Sequence, residues 1–278
     1  MRVVVTGARG GLGRALLART PPDHDAVPLS HHELPVEDAQ AVPERIGAAR
    51  PDVVLHLAAK TSVDGCEADP AGAAVVNALG TANVAVAAQR AGALLVAMST
   101  DYVFDGEKGE PYDERDEPNP LSAYGRSKLA GERAARAIAS DHLVVRTSWV
   151  FGAEDEFVRR SVAWLAAGEE VGGIVDQVGT PTYVAHLAER LWGLVGSAVR
   201  GTVHLAGPEA TTWYDLLVRA KELGDLPGEV VEQKAADLDR AAPRPANSAL
   251  ASVVLPEAGI PALPPLYEAL REVIDAVR

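Results

Sequence analysis

Only one of the 278 residues is a cysteine, Cys66. No intrachain disulfide can form, no cysteine-based metal cluster is available, and a reducing compartment fits. Positive charge is also scarce: 26 Lys and Arg stand against 39 Asp and Glu, a formal net charge of -13. Nucleic acids and anionic membranes need clustered basic side chains, so partners of both kinds are excluded. A small anionic molecule is not, because helix N-termini and a few placed arginines hold one locally. The seven histidines lack paired ligand spacing, and His31-His32 reads as a solvated loop, so no metal is expected. No apolar run approaches the roughly 18 residues of a membrane span. The stretch before Gly7 is too short for a secretory apolar core. What these absences leave is a cytoplasmic globular protein, long enough for one large α/β domain or a domain with a smaller appendage.

The first half of the chain alternates two kinds of segment. Val3-Val4-Val5, Val53–Leu57, Leu94–Met98 and Leu143–Val145 read as buried parallel strands, with alanine-rich helices near 10–20, 70–91 and 122–140 between them. That rhythm predicts a Rossmann-type α/β fold, a doubly wound parallel sheet with helices on both faces. Beyond residue 150 the rhythm loosens and prolines accumulate, which predicts a smaller C-terminal substrate-binding lobe. The expected division is a NAD(P)-binding domain over 1–150, with later segments returning to its sheet, and a lobe made mostly of 151–278. The stretch 264–278 predicts a terminal helix begun by proline.

Thr6-Gly7-Ala8-Arg9-Gly10-Gly11-Leu12-Gly13 follows the first strand and opens a helix. Its glycine spacing suits a tight turn, close backbone approach to a pyrophosphate, and close helix-to-strand packing. The helix N-terminus would face the phosphates with its unpaired N–H groups. Arg9 is a cation within that loop, suited to a 2′-phosphate. Ser30, His31 and His32, after the second strand, supply no acid for a free ribose 2′-OH, and Glu33 comes late. NADPH is therefore the expected cofactor, with NADH the alternative.

Tyr124 and Lys128 stand at i and i+4 on a predicted helix, so they share a face. A phenol is a poor acid-base catalyst at neutral pH, and a nearby ammonium favours its ionised form. Lys128 can also bond the nicotinamide ribose, while Tyr124 protonates a carbonyl oxygen as hydride arrives. Thr100, just after the strand 94–98, can hold that carbonyl by its hydroxyl, or be a strand-end cap alone. Glycine loop, hydroxyl and Tyr/Lys pair fall in the order this chemistry needs.

With these residues in view, the sequence resembles the extended short-chain dehydrogenases/reductases, and within them the dTDP-4-dehydrorhamnose reductase family. The stretches that carry the resemblance are 99–106 (STDYVFDG), 124–132 (YGRSKLAGE), 146–152 (RTSWVFG), 176–183 (DQVGTPTY) and 244–248 (RPANS). It implies Thr100, Tyr124 and Lys128 as catalytic residues. Ala58, Ala59 and Lys60, with Gly7, Arg9, Gly10, Gly11, Leu12 and Gly13, would line the cofactor, and Asn77 would support the central strands. Thr100, Asp101, Tyr102, Trp149, Gln177 and Thr182 would face the substrate. The implied reaction reduces the C4 ketone of a nucleotide-linked 4-keto-6-deoxysugar, such as dTDP-4-dehydro-L-rhamnose, in a monomer or homodimer. Two positions depart from the family: Pro35 replaces an aspartate near the adenosine, and Ala15 replaces an acid that in some members helps bind a cation between subunits.

Three other readings stay open. The chain could act on another dTDP-deoxysugar, serve as a non-catalytic NADP-binding regulatory subunit, or be a 4,6-dehydratase or epimerase. Tyr102, where a dehydratase needs a second carboxylate, weighs against the last. Trp164, Trp192 and Trp213 read as packing residues, and Asp113, Glu114, Asp116 and Glu117 as a solvated face or lid.

Overall fold

The computed structural model describes residues 1–154 and 156–277. In chain order its elements are β1 (Arg2–Thr6), α1 (Gly11–Leu17), β2 (Asp25–Leu29), α2 (Ala41–Ala49), β3 (Val53–His56), α3 (Val63–Ala68), α4 (Pro70–Ala74), α5 (Gly80–Ala91), β4 (Leu94–Thr100), α6 (Ala123–Ile138), β5 (His142–Thr147), β6 (Val150–Phe151), α7 (Phe157–Ala166), β7 (Glu170–Ile174), β8 (Val178–Gly179), β9 (Thr182–Tyr183), α8 (Val184–Val195), β10 (Gly201–His204), β11 (Thr211–Thr212), α9 (Trp213–Gly224), β12 (Glu229–Gln233), α10 (Val254–Glu257) and α11 (Leu266–Val277). A π turn, Val75–Leu79, joins α4 to α5, and a 3₁₀ turn, Asp101–Val103, follows β4. Arg278, at the end of the predicted terminal helix, lies outside the described residues.

The expected Rossmann-type fold is present. Six strands pair in the order β2-β1-β3-β4-β5-β10, all parallel. Alternation along the strands divides their side chains between two cores. Val3, Val5, Leu55, Val96 and Val145 pack against Leu16, Leu187 and Leu191. Val4, Val54, Leu95 and Val144 face Val42, Ile46, Val84 and Ala135. Each aliphatic side chain buried this way contributes about 1.5–3 kcal/mol. The sheet order turns back between β1 and β3, which places a ligand crevice at their carboxyl ends.

Residues 201–204 return to the main sheet as β10, beside β5. The second lobe contains the strand pairs β6/β9, β7/β12 and β8/β11. Its own core joins Phe151, Val162, Leu165, Leu217, Leu270 and Ile274.

Three expectations need correction. The chain does contain a helix long and apolar enough, by length and composition, to cross a membrane: the 22-residue run Pro70–Ala91. Here it is part of the fold, with Asn77, Thr81 and Asn83 buried and hydrogen-bonded inside the protein. Trp192 packs as expected, but Trp164 is 43% exposed. The buried stripe of α7 is Val158, Ser161, Val162 and Leu165, and position 164 lies off it. Finally, Glu114 is not a solvated charge. Its carboxylate accepts from the amides of His204 (2.8 Å) and Val253 (2.9 Å), and so ties its loop to β10 and α10.

Candidate active site

The glycine loop lies at the mouth of the β1/β3 crevice. Gly7 has φ +67, and a Cβ there would sit 2.7 Å from the Ala58 amide nitrogen, so only glycine fits where the two crossings meet. At Gly10 a Cβ would meet nothing nearer than the Gly7 carbonyl oxygen, at 3.3 Å, so the loop is open on that side. Gly10 is also the N-cap of α1, and among the described residues no side chain caps that helix. Open backbone and an uncapped helix start fit a pyrophosphate. Gly11, Leu12 and Gly13 form the first turn of α1. Arg9 is exposed, and the Glu33 carboxylate reaches back to the Ser30 amide (2.8 Å) and hydroxyl (2.6 Å).

The other wall of the crevice is built by buried polar bonds. Asn77, in the π turn, accepts from the Lys60 amide at 2.8 Å and donates to the Lys60 carbonyl at 3.0 Å. Ala58, Ala59 and Lys60 therefore present a fixed backbone, while the Lys60 ammonium turns to Asp69, 2.7 Å away. Behind them Thr6 Oγ1 lies 2.8 Å from His56 Nδ1, and His56 Nε2 lies 3.1 Å from Thr81 Oγ1. Thr81 gives its one proton to the Asn77 carbonyl at 2.6 Å, so it accepts from His56, which puts the imidazole proton on Nε2. Burial, with the Lys128 charge nearby, pushes His56 down to about 3, so it stays neutral.

Thr100, Tyr124 and Lys128 meet at the carboxyl end of β4. Ser122 caps α6 by accepting from the Gly125 amide at 3.1 Å, which starts the helix one residue before Tyr124. Gly125 lets that first turn press against the Tyr102 carbonyl, a contact no Cβ would allow. The Tyr124 ring meets Tyr102 edge-on, with centroids 6.0 Å apart, and the phenol faces the Thr100 hydroxyl. The structure corrects one expectation here. Lys128 does not bring the phenol down. Burial dominates and holds Tyr124 well above its ordinary value, while the Lys128 ammonium donates to the Met98 carbonyl at 2.7 Å. Burial also pulls Lys128 down to about 8. Tyr124 is therefore kept as a protonated acid.

The predicted substrate residues divide into two groups. Tyr102 and Trp149 lie at the ends of β4 and β5. Trp149 has φ +44, uncommon for a bulky residue, and its indole stacks on Trp213 at 3.9 Å with 4° between the planes. A side chain at Gly179 would enter that indole, so Trp149 is held between Gly179 and Trp213. Trp213, expected to be packing alone, is part of this wall. Gln177 is buried just before β8. The remaining two are built into the protein. Thr182 Oγ1 donates to the Thr180 carbonyl and accepts from the Gly207 amide, both at 3.0 Å. Asp101 sits behind Thr100, with its carboxylate bonded to hydroxyls.

The stretch 244–248, matched above to the family but given no role there, lies in a strap, 242–251, that crosses the site. It is hydrogen-bonded to Val178 and Tyr112, and Arg244 grips Asp64 through two nitrogens at 3.1 and 2.7 Å. Among the described residues no group of three or more His, Cys, Asp or Glu is placed to hold a metal ion.

The family model described as "RmlD substrate binding domain" matches residues 1–278. A dTDP-4-dehydrorhamnose reductase of Mycobacterium tuberculosis is 42% identical over 261 residues, 90% of this chain and 85% of that protein. The chain belongs to the dTDP-4-dehydrorhamnose reductase family. Among solved structures, the dTDP-4-dehydrorhamnose reductase of Bacillus anthracis, in complex with NADP, superposes with a TM-score of 0.95 at 33% identity, covering 99% of each chain. The Streptomyces antibioticus protein named "Probable dTDP-4,6-dihydroxy-2-methyloxan-3-one 4-ketoreductase" is 38% identical over 98% of this chain and 94% of its own length. The Bacillus anthracis reductase therefore shares both the sheet and the lobe described above.

Proposed function

We propose that this member of the family reduces the C4 ketone of dTDP-4-dehydro-L-rhamnose to give dTDP-L-rhamnose, with NADPH as donor and NADH as the alternative. The observation that carries the reading is the meeting of Thr100, Tyr124 and Lys128 beside the glycine crevice. A bound reduced nicotinamide supplies the hydride. The loop 7–13 and the 58–60 backbone hold the dinucleotide, and exposed Arg9 favours a 2′-phosphate because Glu33 is tied to Ser30. Tyr124, kept protonated by burial, gives its proton to the substrate oxygen. Lys128 lies one helical turn away and holds positive charge at the site. Thr100 orients the carbonyl, and Tyr102, Gln177 and the Trp149/Trp213 pair shape the sugar pocket. The enzyme works in the cytoplasm as a monomer or homodimer.

The test follows loss of NADPH and NADH at 340 nm, in parallel, with dTDP-4-dehydro-L-rhamnose. Rapid oxidation is expected, and Tyr124→Phe should lower kcat by about 10²–10⁴. Near-wild-type turnover by that variant would remove Tyr124 from the mechanism. The Streptomyces relative supports a second reading, a 4-ketoreductase for another dTDP-deoxysugar. Higher kcat/KM on that sugar in a substrate panel would select it.

A further inference from the structure

Asp101 opens the 3₁₀ turn after β4 and is 2% exposed. Its Oδ1 accepts from Thr100 Oγ1 at 2.8 Å. Its Oδ2 accepts from Ser148 Oγ at 2.9 Å and from Ser248 Oγ at 2.5 Å. Ser148 belongs to the turn after β5, and Ser248 to the strap. The ionisable groups facing Asp101 are Tyr102 on its own turn and Tyr124 on α6; Ser148 and Ser248 bring only neutral hydroxyls. The carboxylate thus sits in a cage of hydroxyl donors, with no ion-pair partner among the described residues.

The cage constrains Thr100. A threonine hydroxyl has one proton and two lone pairs. Here the proton goes to Asp101, and one lone pair accepts from the Tyr102 amide at 3.2 Å. In that state Thr100 has no proton for a substrate oxygen. If Asp101 takes up a proton, its O–H can donate to Thr100 Oγ1, and the threonine proton is released to turn outward.

We propose that Asp101 is a positioning residue, whose own proton decides whether the Thr100 hydroxyl points into the cage or toward the substrate carbonyl. The assignment rests on the proposed function, in which Thr100 acts on that carbonyl. The Asp101 proton is not consumed; Tyr124 remains the donor. Burial raises the carboxyl to about 6 against the pull of its three hydroxyl donors, so both states are populated near neutrality. Ser148 and Ser248 favour the ionised form, and losing either moves the titration upward.

The test combines a spectroscopic titration with pH profiles. In protein labelled with ¹³C at the aspartate carboxyls, the signal absent from Asp101→Asn should titrate near pH 6 in the wild type and higher in Ser248→Ala. No titration between pH 5 and 7, or an unmoved midpoint in Ser248→Ala, overturns the proposal. This arm needs no substrate, so it stands even if the wild type reduces no 4-keto sugar nucleotide, a result that would sink the functional reading instead. With an active substrate, wild-type kcat should fall several-fold as pH rises through that midpoint, with KM little changed. Asp101→Asn should lose this limb, Ser248→Ala should shift it upward, and in a Thr100→Ala background Asp101→Asn should add less than twofold. A limb that survives in Asp101→Asn, or an additive double variant, counts against the role.

Discussion

Glu132 on α6 and Asp101 after β4 are both buried, at 3% and 2% exposure. Their surroundings differ in one respect. Glu132 accepts from Arg146 Nε at 2.9 Å and Nη2 at 2.8 Å, from Ser99 at 2.6 Å, and from Arg136 at 3.0 Å. Asp101 has three hydroxyls and its own backbone amide and, among the described residues, no guanidinium. Burial raises the carboxyl pKa at both sites, but the Arg146 guanidinium overcomes it at Glu132, which is held below the ordinary glutamate value. At Asp101 burial wins. A hydroxyl cage keeps a buried carboxylate hydrogen-bonded without committing it to charge, whereas a guanidinium commits it. The first arrangement suits a group that works on a catalytic neighbour. The second suits a fixed strut, and Glu132 is one: with Arg146 and His204 it binds α6 to β5 and β10.

The largest effect that could break this comparison is on the strut. Arg146→Met leaves the Glu132 charge buried beside one peripheral arginine, and should cost about 3–5 kcal/mol in urea unfolding. Adding Glu132→Leu should recover most of that loss, because an apolar pair of similar volume removes the stranded charge. A single-variant cost below about 1 kcal/mol would show that Arg136 and Ser99 suffice, and would erase the distinction from Asp101.

The next effect is a pH dependence of opposite sign at the two carboxyls. Asp101 is raised from 3.8 to about 6, so the folded state binds its proton more tightly. Its contribution is present below pH 3.8 and lost as pH rises toward 6, at about 1.4 kcal/mol per pKa unit, or ~3 kcal/mol in all. Glu132 is lowered, so its contribution is present above the unfolded value and lost on acidification. Unfolding free energies of wild type and Asp101→Asn, measured from pH 4 to 7, should therefore converge at the acid end. The wild type should fall behind as pH rises, and parallel curves would refute the raised titration.

A smaller effect is expected at Gly125. A methyl there meets the Tyr102 carbonyl, and relief requires α6 to move with Tyr124 on it. Gly125→Ala should cost about 1–3 kcal/mol and lower kcat more than it raises KM. An unchanged kcat would mean that the tyrosine does not depend on this contact.

The glycine loop, the Tyr124/Lys128 pair and Thr100 were legible because each is a local pattern with fixed spacing on one element. Parallel strands announced themselves as short β-branched runs buried on both faces. The cage was not legible, since Ser148 and Ser248 reach Asp101 from 47 and 147 residues away. Arg244 and Asp64 are 180 residues apart. Trp213 looked like a helix-start aromatic, and only the β8/β11 pairing sets it over Trp149. The Lys128 expectation failed for an energetic reason: spacing shows which residues share a face, but not how far burial lifts a phenol or which carbonyl takes the ammonium.

The smallest stability effect belongs to the strap. Arg244 and Asp64 form a bidentate pair like that of Arg146 and Glu132, and Arg244 holds Asp64 down at about 2. The Asp64 side chain is 43% exposed, however, so water screens the pair and the shift does not translate into stability in full. Arg244→Gln should therefore cost about 1 kcal/mol or less in unfolding. Its larger consequence should be catalytic, because the same strap seats Ser248 on Asp101. Loosening it weakens a hydrogen bond that favours the ionised carboxyl, so the Asp101 titration should move upward, as in Ser248→Ala but by less. A stability loss above about 2 kcal/mol would place Arg244 with the buried struts. An unmoved Asp101 midpoint would show that Ser248 keeps its seat without the arginine.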